Sequence, residues 1–208
     1  MNVRSINMFK PFSPACERNQ DPILASIKPI LRNAKHVLEI GSGTGQHGVH
    51  FAKNMPWIKW QCSDVRSNLP GIQSWIESTN LENLFTPLEL DVSVNTLNLQ
   101  YDAIYSCNTL HIMSKQQVGD FFNLIATGAK RSSDLIIYGP FNYLGKYTAN
   151  SNAEFDLWLK NQNPQSGIRD FEWIDSLAMS NEFVLVSDKA MPANNRLLHW
   201  HRTSTVNL

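Results

Sequence analysis

The chain has 208 residues, with 18 Lys plus Arg against 18 Asp plus Glu and a formal net charge of zero at pH 7. That length suits one domain over residues 1–208, and the balanced charge supplies no overall field to attract a phosphate backbone or anionic lipid. The apolar runs, such as Val37-Leu38-Glu39-Ile40 and Leu135-Ile136-Ile137-Tyr138, are strand-sized and far short of the ~20 residues a membrane helix needs.

The opening MNVRSINMFKPF carries no apolar core of a secretion signal. Cys16, Cys62 and Cys107 are widely separated, with no C-x-x-C. Neither a disulfide framework nor a thiolate metal site follows. A cytoplasmic monomer is expected, without metal, membrane or nucleic-acid partner.

Strand-like and helix-like segments alternate along the whole chain. Asp21-Pro22 reads as a helix cap followed by proline at the first helical position. Ile23, Leu24, Ile27, Ile30 and Leu31 then recur at helical spacing, with Pro29 ending or kinking the helix. Val37 to Ile40 is a buried strand stopped by glycines. A second strand covers Trp57 to Cys62, residues 68–79 read as helix, and Leu84 to Leu90 reads as a strand broken or edged by Pro87.

Tyr101 to Ser106 is a further strand. Ser114-Lys115-Gln116-Gln117 is a capping box opening a helix with Val118, Phe121, Phe122 and Ile125 on one face. After the loop 129–134, Leu135 to Tyr138 is the next buried strand. Helices near 153–161 and 171–180 follow, then strands near 183–190 and 196–202 joined by the turn-rich Met191-Pro192-Ala193-Asn194-Asn195. Such alternation predicts an α/β fold with a mostly parallel sheet of about seven strands, one of them antiparallel near the C-terminus, and helices on both faces.

The chemistry concentrates at Glu39-Ile40-Gly41-Ser42-Gly43-Thr44-Gly45-Gln46. A strand feeding a glycine-rich turn that opens a helix presents free backbone N–H groups to a ligand. A P-loop would require Lys-Ser or Lys-Thr after Gly48, where Val49-His50 stands. A dinucleotide fingerprint would require glycine or alanine at position 46, where Gln46 stands.

Asp64 ends the second strand 19 residues beyond Gly45, which puts its carboxylate at the same sheet edge, able to accept both ribose hydroxyls. Asp91 ends the third strand at that edge and is placed to accept an exocyclic amine of adenine. Glu39 adds negative charge near the cationic end of such a ligand. Helix capping is the plain alternative for both aspartates.

These motifs, with Asn108-Thr109-Leu110-His111, resemble those of class I S-adenosylmethionine-dependent methyltransferases of Rossmann-like fold. Ala15-Cys16-Glu17-Arg18-Asn19-Gln20-Asp21-Pro22, Tyr138-Gly139-Pro140-Phe141 and Met191-Pro192-Ala193-Asn194-Asn195 are similar to the methyltransferase-like protein 26 family, over about residues 8–202. The resemblance implies S-adenosylmethionine as cofactor. Gly41, Ser42, Gly43 and Gly45 would hold it by backbone contacts, with Asp64 at the ribose and Val65 beside it. Asp91 and Val92 would frame the adenine, and Asn108 would meet the amino-acid end. The Pro-Gly-Gly turn common before the fifth strand is absent; Ala129 to Asp134 stands there.

A small-molecule acceptor is expected. Arg18, Asn19, His111, Tyr138, Asn194 and Asn195 are the acceptor-side candidates, with residues 1–20 as a lid over the cofactor mouth. Arg18 suits a carboxylate of cofactor or acceptor. Against these stand a surface role for Arg18, packing roles for Tyr138 and His111, and turn-forming roles for Asn194 and Asn195. A cofactor-binding protein without turnover uses the same residues, and a nicotinamide oxidoreductase shares the fold but not the glycine pattern.

Overall fold

The structure is a computed structural model that describes residues 10–203. Strand β1, His36–Ile40, is buried from Val37 onward because it is paired on both sides. It runs parallel to β2 (Lys59–Asp64), with Val37 opposite Trp60, and to β4 (Tyr101–Cys107), with Val37 opposite Ala103. Strands β3 (Leu88–Glu89), β5 (Ala129–Gly139), β8 (Phe183–Met191) and β9 (Asn195–Arg202) complete a seven-stranded sheet of order β3-β2-β1-β4-β5-β9-β8. Only β9 opposes its neighbours: it is antiparallel to both β5 and β8. The expected α/β sheet with a single antiparallel member is the observed one.

Alternate residues of each strand feed two separate cores. Val37, Trp60, Ala103, Tyr105 and Ile136 pack under α1 (Pro14–Ile30), α2 (Gln46–Asn54) and α3 (Leu69–Glu77). Leu38, Ile104, Leu135 and Trp200 pack under α4 (Lys115–Gly128) and α6 (Phe171–Ser180). A two-stranded ribbon, β6 (Phe141–Asn142) with β7 (Arg169–Asp170), and helix α5 (Asn150–Gln162) lie beyond the carboxyl ends of the central strands.

The boundaries depart most from the sequence reading at three places; elsewhere they shift by a few residues, as where β2 starts at Lys59 and not Trp57. The first helix begins at Pro14, not Asp21: Ser13 is the cap and its hydroxyl accepts from Cys16 N at 3.4 Å. The misplacement has a physical cause. Ser13-Pro14 and Asp21-Pro22 carry the same cap-then-proline signal, and the first turns lack apolar periodicity, Asn19 being the first buried side chain. Pro22 therefore lies inside the helix. Of the expected 1–20 lid, residues 1–9 fall outside the described residues, and 14–20 are α1 itself.

The strand expected over 84–90 shrinks to Leu88–Glu89, with one isolated bridge at Leu84. Pro87 has no N–H to give the ladder, and Gln61 Nε2 donates to Thr86 O at 2.8 Å instead. Residues 129–134 are not a loop. Helix α4 passes directly into β5, and a register slip between Tyr101 and Ala103 absorbs the extra residues opposite them. The capping box at Ser114 forms with both of its bonds: Ser114 Oγ accepts from Gln117 N at 3.1 Å, and Ser114 N donates to Gln117 Oε1 at 2.9 Å.

Candidate functional site

The bend after β1 turns on three glycines with left-handed backbones, Gly41 (φ 77°), Gly43 (φ 58°) and Gly45 (φ 89°), a region closed to most side chains. Gly41 N and Ser42 N both donate to Ser63 O at 3.0 Å, and Gly45 N donates to Ser42 O at 2.9 Å. Ser42 Oγ accepts from Ser63 N at 3.1 Å. Gly45 caps α2 without a side chain; Gln46 N donates to Thr44 Oγ1 at 3.4 Å, and the N–H groups that follow it in the first turn have no capping side chain.

Asp64, at the end of β2, closes against this bend. Its Oδ2 accepts from Gly43 N at 2.7 Å, and its Oδ1 accepts from Val65 N at 2.8 Å and Asn68 Nδ2 at 2.9 Å. A cavity of about 430 Å³ opens beside the bend, lined by Gly43, Thr44, Asn68, Gly71 and Pro11. A side chain built on Gly43 would meet nothing within 4 Å. The bend is thus open where Asp64 approaches it.

Asp91 follows β3, whose Glu89 pairs with Asp64, and Leu90 N donates to Asp64 O at 2.9 Å. Both acids therefore sit at the carboxyl edge of adjacent strands. Asp91 also shapes its own turn, its Oδ1 accepting from Ser93 N at 2.9 Å. Val92 is buried in the core beside it, whereas Val65 is 40% exposed. At the end of β4, Asn108 is left-handed (φ 55°) and its N–H donates to Tyr138 O at 2.8 Å.

Glu39 lies differently from its expected place. It is 2% exposed, and its Oε2 accepts from Trp60 Nε1 at 3.0 Å and from the Cys62 thiol at 3.5 Å. Burial pushes its carboxyl above the usual range, favouring the neutral form. It supports the bend from beneath and does not offer a free charge at the mouth.

The acceptor-side candidates divide into two groups. On the α1 face, Asn19 Oδ1 meets His47 Nε2 at 2.8 Å, and the side chains of Asn19 and Asn195 stand near the Tyr138 hydroxyl and favour its ionised form against burial. Burial raises Tyr138 to about 12 and lowers His47 to about 4, so both are uncharged at neutral pH. The second group gathers around Gly139. A Cβ built there would lie 3.7 Å from Asn108 Oδ1 and 3.9 Å from His111 Nδ1. Burial, then the Arg169 charge, lowers His111 to about 4.

Arg18 is exposed on α1, and Asn194 joins neither group. Asn194 has φ 56° in the β8–β9 turn and donates from Nδ2 to Ser151 Oγ at 3.1 Å, which ties that turn to α5. Asn195 shares the turn-forming work, its Nδ2 donating to Pro192 O at 3.2 Å.

Gln46 is the residue whose role sequence reasoning missed. Its Oε1 accepts from Ser13 N at 2.5 Å and from Thr44 Oγ1 at 3.0 Å, and its Nε2 donates to Ser13 O at 3.4 Å. The signal was visible as a departure from the dinucleotide pattern, but its partner lies 33 positions earlier. Among the described residues no group of three His, Cys, Asp or Glu could hold a metal, and no helix is long and apolar enough to cross a membrane.

The fold is the Rossmann-like fold of class I methyltransferases. An O-methyltransferase family protein from Burkholderia thailandensis superposes with a TM-score of 0.81 at 16% identity, covering 92% of this chain and 58% of that one. Human N-acetylserotonin methyltransferase, in complex with SAM, gives 0.79 at 14% identity, covering 91% and 53%. The S-adenosylmethionine-dependent methyltransferase SibL in its apo form gives 0.78 at 17%, covering 91% and 56%. The chain thus spans just over half the length of these proteins. It belongs to the family described as "Protein of unknown function (DUF938)", whose model matches residues 10–202.

Proposed function

We propose that this protein is an S-adenosylmethionine-dependent methyltransferase acting on a small-molecule acceptor. The contact between Asp64 Oδ2 and Gly43 N carries the reading. It brings a ribose-binding type of carboxylate against an open glycine bend at a helix start, the two groups an adenosine-bearing cofactor requires. Fold neighbours that are methyltransferases support it, one of them bearing SAM. The resemblance to the methyltransferase-like protein 26 family belongs to the same proposal, as does a single monomeric domain. Three unpaired cysteines fit a cytoplasmic setting.

In this reading Gly41, Ser42, Gly43 and Gly45 hold the cofactor through the main chain. Asp64 takes the ribose, Asp91 and Val92 border the adenine, and Asn108 meets the amino-acid end. Bound S-adenosylmethionine supplies a methyl group on positively charged sulfur, whose S–C electron pair returns to sulfur on transfer. The protein's part is alignment and exclusion of water. His47, His111 and Tyr138 are all neutral and none is a strong base at pH 7, so a proton displaced from the acceptor atom on transfer leaves to water.

The test is transfer of tritiated methyl from labelled S-adenosylmethionine into the small-molecule fraction of a cell extract. Sustained incorporation, lost in Asp64→Ala, is expected. Tight cofactor binding with no incorporation would instead make the protein a non-catalytic binder.

A further inference from the structure

The carboxyl edge of β4 and β5 continues outward into an aromatic ladder. His111 lies edge-on to Phe155 of α5, with ring centroids 5.3 Å apart and planes at 77°. Phe155 in turn stacks on Trp158, at 5.9 Å and 12°. The ladder runs from a histidine that is 6% exposed to a tryptophan that is 55% exposed. The outer ring of the ladder thus presents aromatic surface to solvent.

Helix α5 holds this ladder in fixed position. Its first turn is tied to the β8–β9 turn, where Asn152 Nδ2 donates to Asn194 O at 3.2 Å. Its middle is anchored by Asp156, whose Oδ1 accepts from Ile168 N at 2.6 Å and whose Oδ2 accepts from Tyr147 Oη at 2.7 Å. At the inner end Gly139 leaves a methyl-sized space between Asn108 Oδ1 and His111 Nδ1.

The side chains of Asn108, Phe155 and Trp158 carry no charge, and burial lowers His111 to about 4; the charges of α5 nearby are Glu154 and the Asp156–Lys160 ion pair. Arg169, whose charge helps lower His111, spends its guanidinium on main-chain oxygens of Leu110, Met113 and Gln165. An imidazole and a carboxamide together can take and give a hydrogen bond, which suits one hydroxyl or ring N–H between them. Phe155 and Trp158 offer aromatic surface, which favours a flat π-system over a saturated ring of equal size.

We propose that this edge is the acceptor subsite and that the acceptor is a planar, uncharged molecule, its nucleophilic atom directed to the space over Gly139 and its ring against Phe155 and Trp158. The proposal rests on the methyltransferase reading and adds the chemical class of the acceptor.

Binding of 2-naphthol and of its saturated counterpart, decahydro-2-naphthol, measured by isothermal titration with and without S-adenosylhomocysteine, tests it. The wild-type protein is expected to bind 2-naphthol roughly ten-fold more tightly than the saturated probe. Trp158→Ala should weaken 2-naphthol about five-fold or more and leave S-adenosylhomocysteine affinity within about two-fold, and Gly139→Ala should weaken 2-naphthol to a similar degree. Both variants should fold. Trp158 is largely exposed, and a methyl on Gly139 meets nothing closer than 3.7 Å. Equal affinity for the two probes, no binding of 2-naphthol, or variants that bind it as wild type does would each overturn the proposal. Failure to bind S-adenosylhomocysteine would instead strike the cofactor reading, and the probe result on the free protein would still decide the subsite.

Discussion

The Asp64 carboxylate bridges the ends of two strands: one oxygen takes Gly43 N at 2.7 Å, and the other takes Val65 N at 2.8 Å. The acid thus shapes the glycine bend before any ligand arrives. Removing it leaves two amides without their partner, at a cost of about 1–3 kcal/mol. For a protein of this size, Asp64→Ala should lower the melting temperature by about 3–10 °C. An unchanged melting temperature would mean the bend does not depend on the acid.

Gly41 joins the β1 loop to the β4 loop. Its φ is 77°, and a Cβ there would stand 2.5 Å from Thr109 Oγ1. Gly41→Ala should lose about 1–3 kcal/mol from backbone conformation alone, with the clash adding to it. Thr109→Ala in the same chain should return the clash component but not the conformational one. Denaturant melts of the two single variants and the double variant would then show favourable coupling. Simple additivity would contradict the contact.

Gln46 fastens the start of α1 to the start of α2 by bonding both main-chain groups of Ser13. Gln46→Ala should destabilise by about 1–3 kcal/mol, the cost of leaving those groups unpaired. The segment before α1 is further held by Pro11 O, which accepts from Trp75 Nε1 at 2.6 Å, and by Lys10 over the Trp75 ring at 3.7 Å. Chymotrypsin should cut after Phe12, 55% exposed, faster in the variant. Equal cleavage rates would show that Gln46 is not the fastening.

His47 gives a pH signature. Its value in the folded protein is about 4, lowered by burial and then by the neighbouring His50 charge, against 6.5 for the unperturbed group. The unfolded chain therefore takes up this proton first. The stability held by neutral His47 is complete above pH 6.5 and is lost as pH falls from 6.5 toward 4. Glu39, raised by burial, works in the opposite sense, so the comparison is wild type against His47→Gln. The gap in melting temperature should narrow between pH 7 and 4.5. A gap independent of pH would mean His47 titrates normally.

The glycine bend and its acids were legible because their signals are local: a strand, three glycines in order, and an aspartate where the next strand ends. The same holds for the Ser114 capping box and the β8–β9 turn. Long-range pairing was not legible. Nothing around Gln46 points to Ser13, and nothing around Glu39 says that its carboxyl turns toward Trp60 and Cys62 and away from the mouth. Asn19, Tyr138 and Asn195 were singled out separately, and only the packing of α1 against β5 and β9 brings them near one hydroxyl. Short β3 escaped because Pro87 and Gln61 act together across two strands.

Calorimetric titration with S-adenosylhomocysteine, set beside NAD, tests the cofactor site most directly. The expected result is one S-adenosylhomocysteine per chain, bound about ten-fold or more weakly by Asp64→Ala, and no heat with NAD. Binding of NAD with none of S-adenosylhomocysteine would contradict the account.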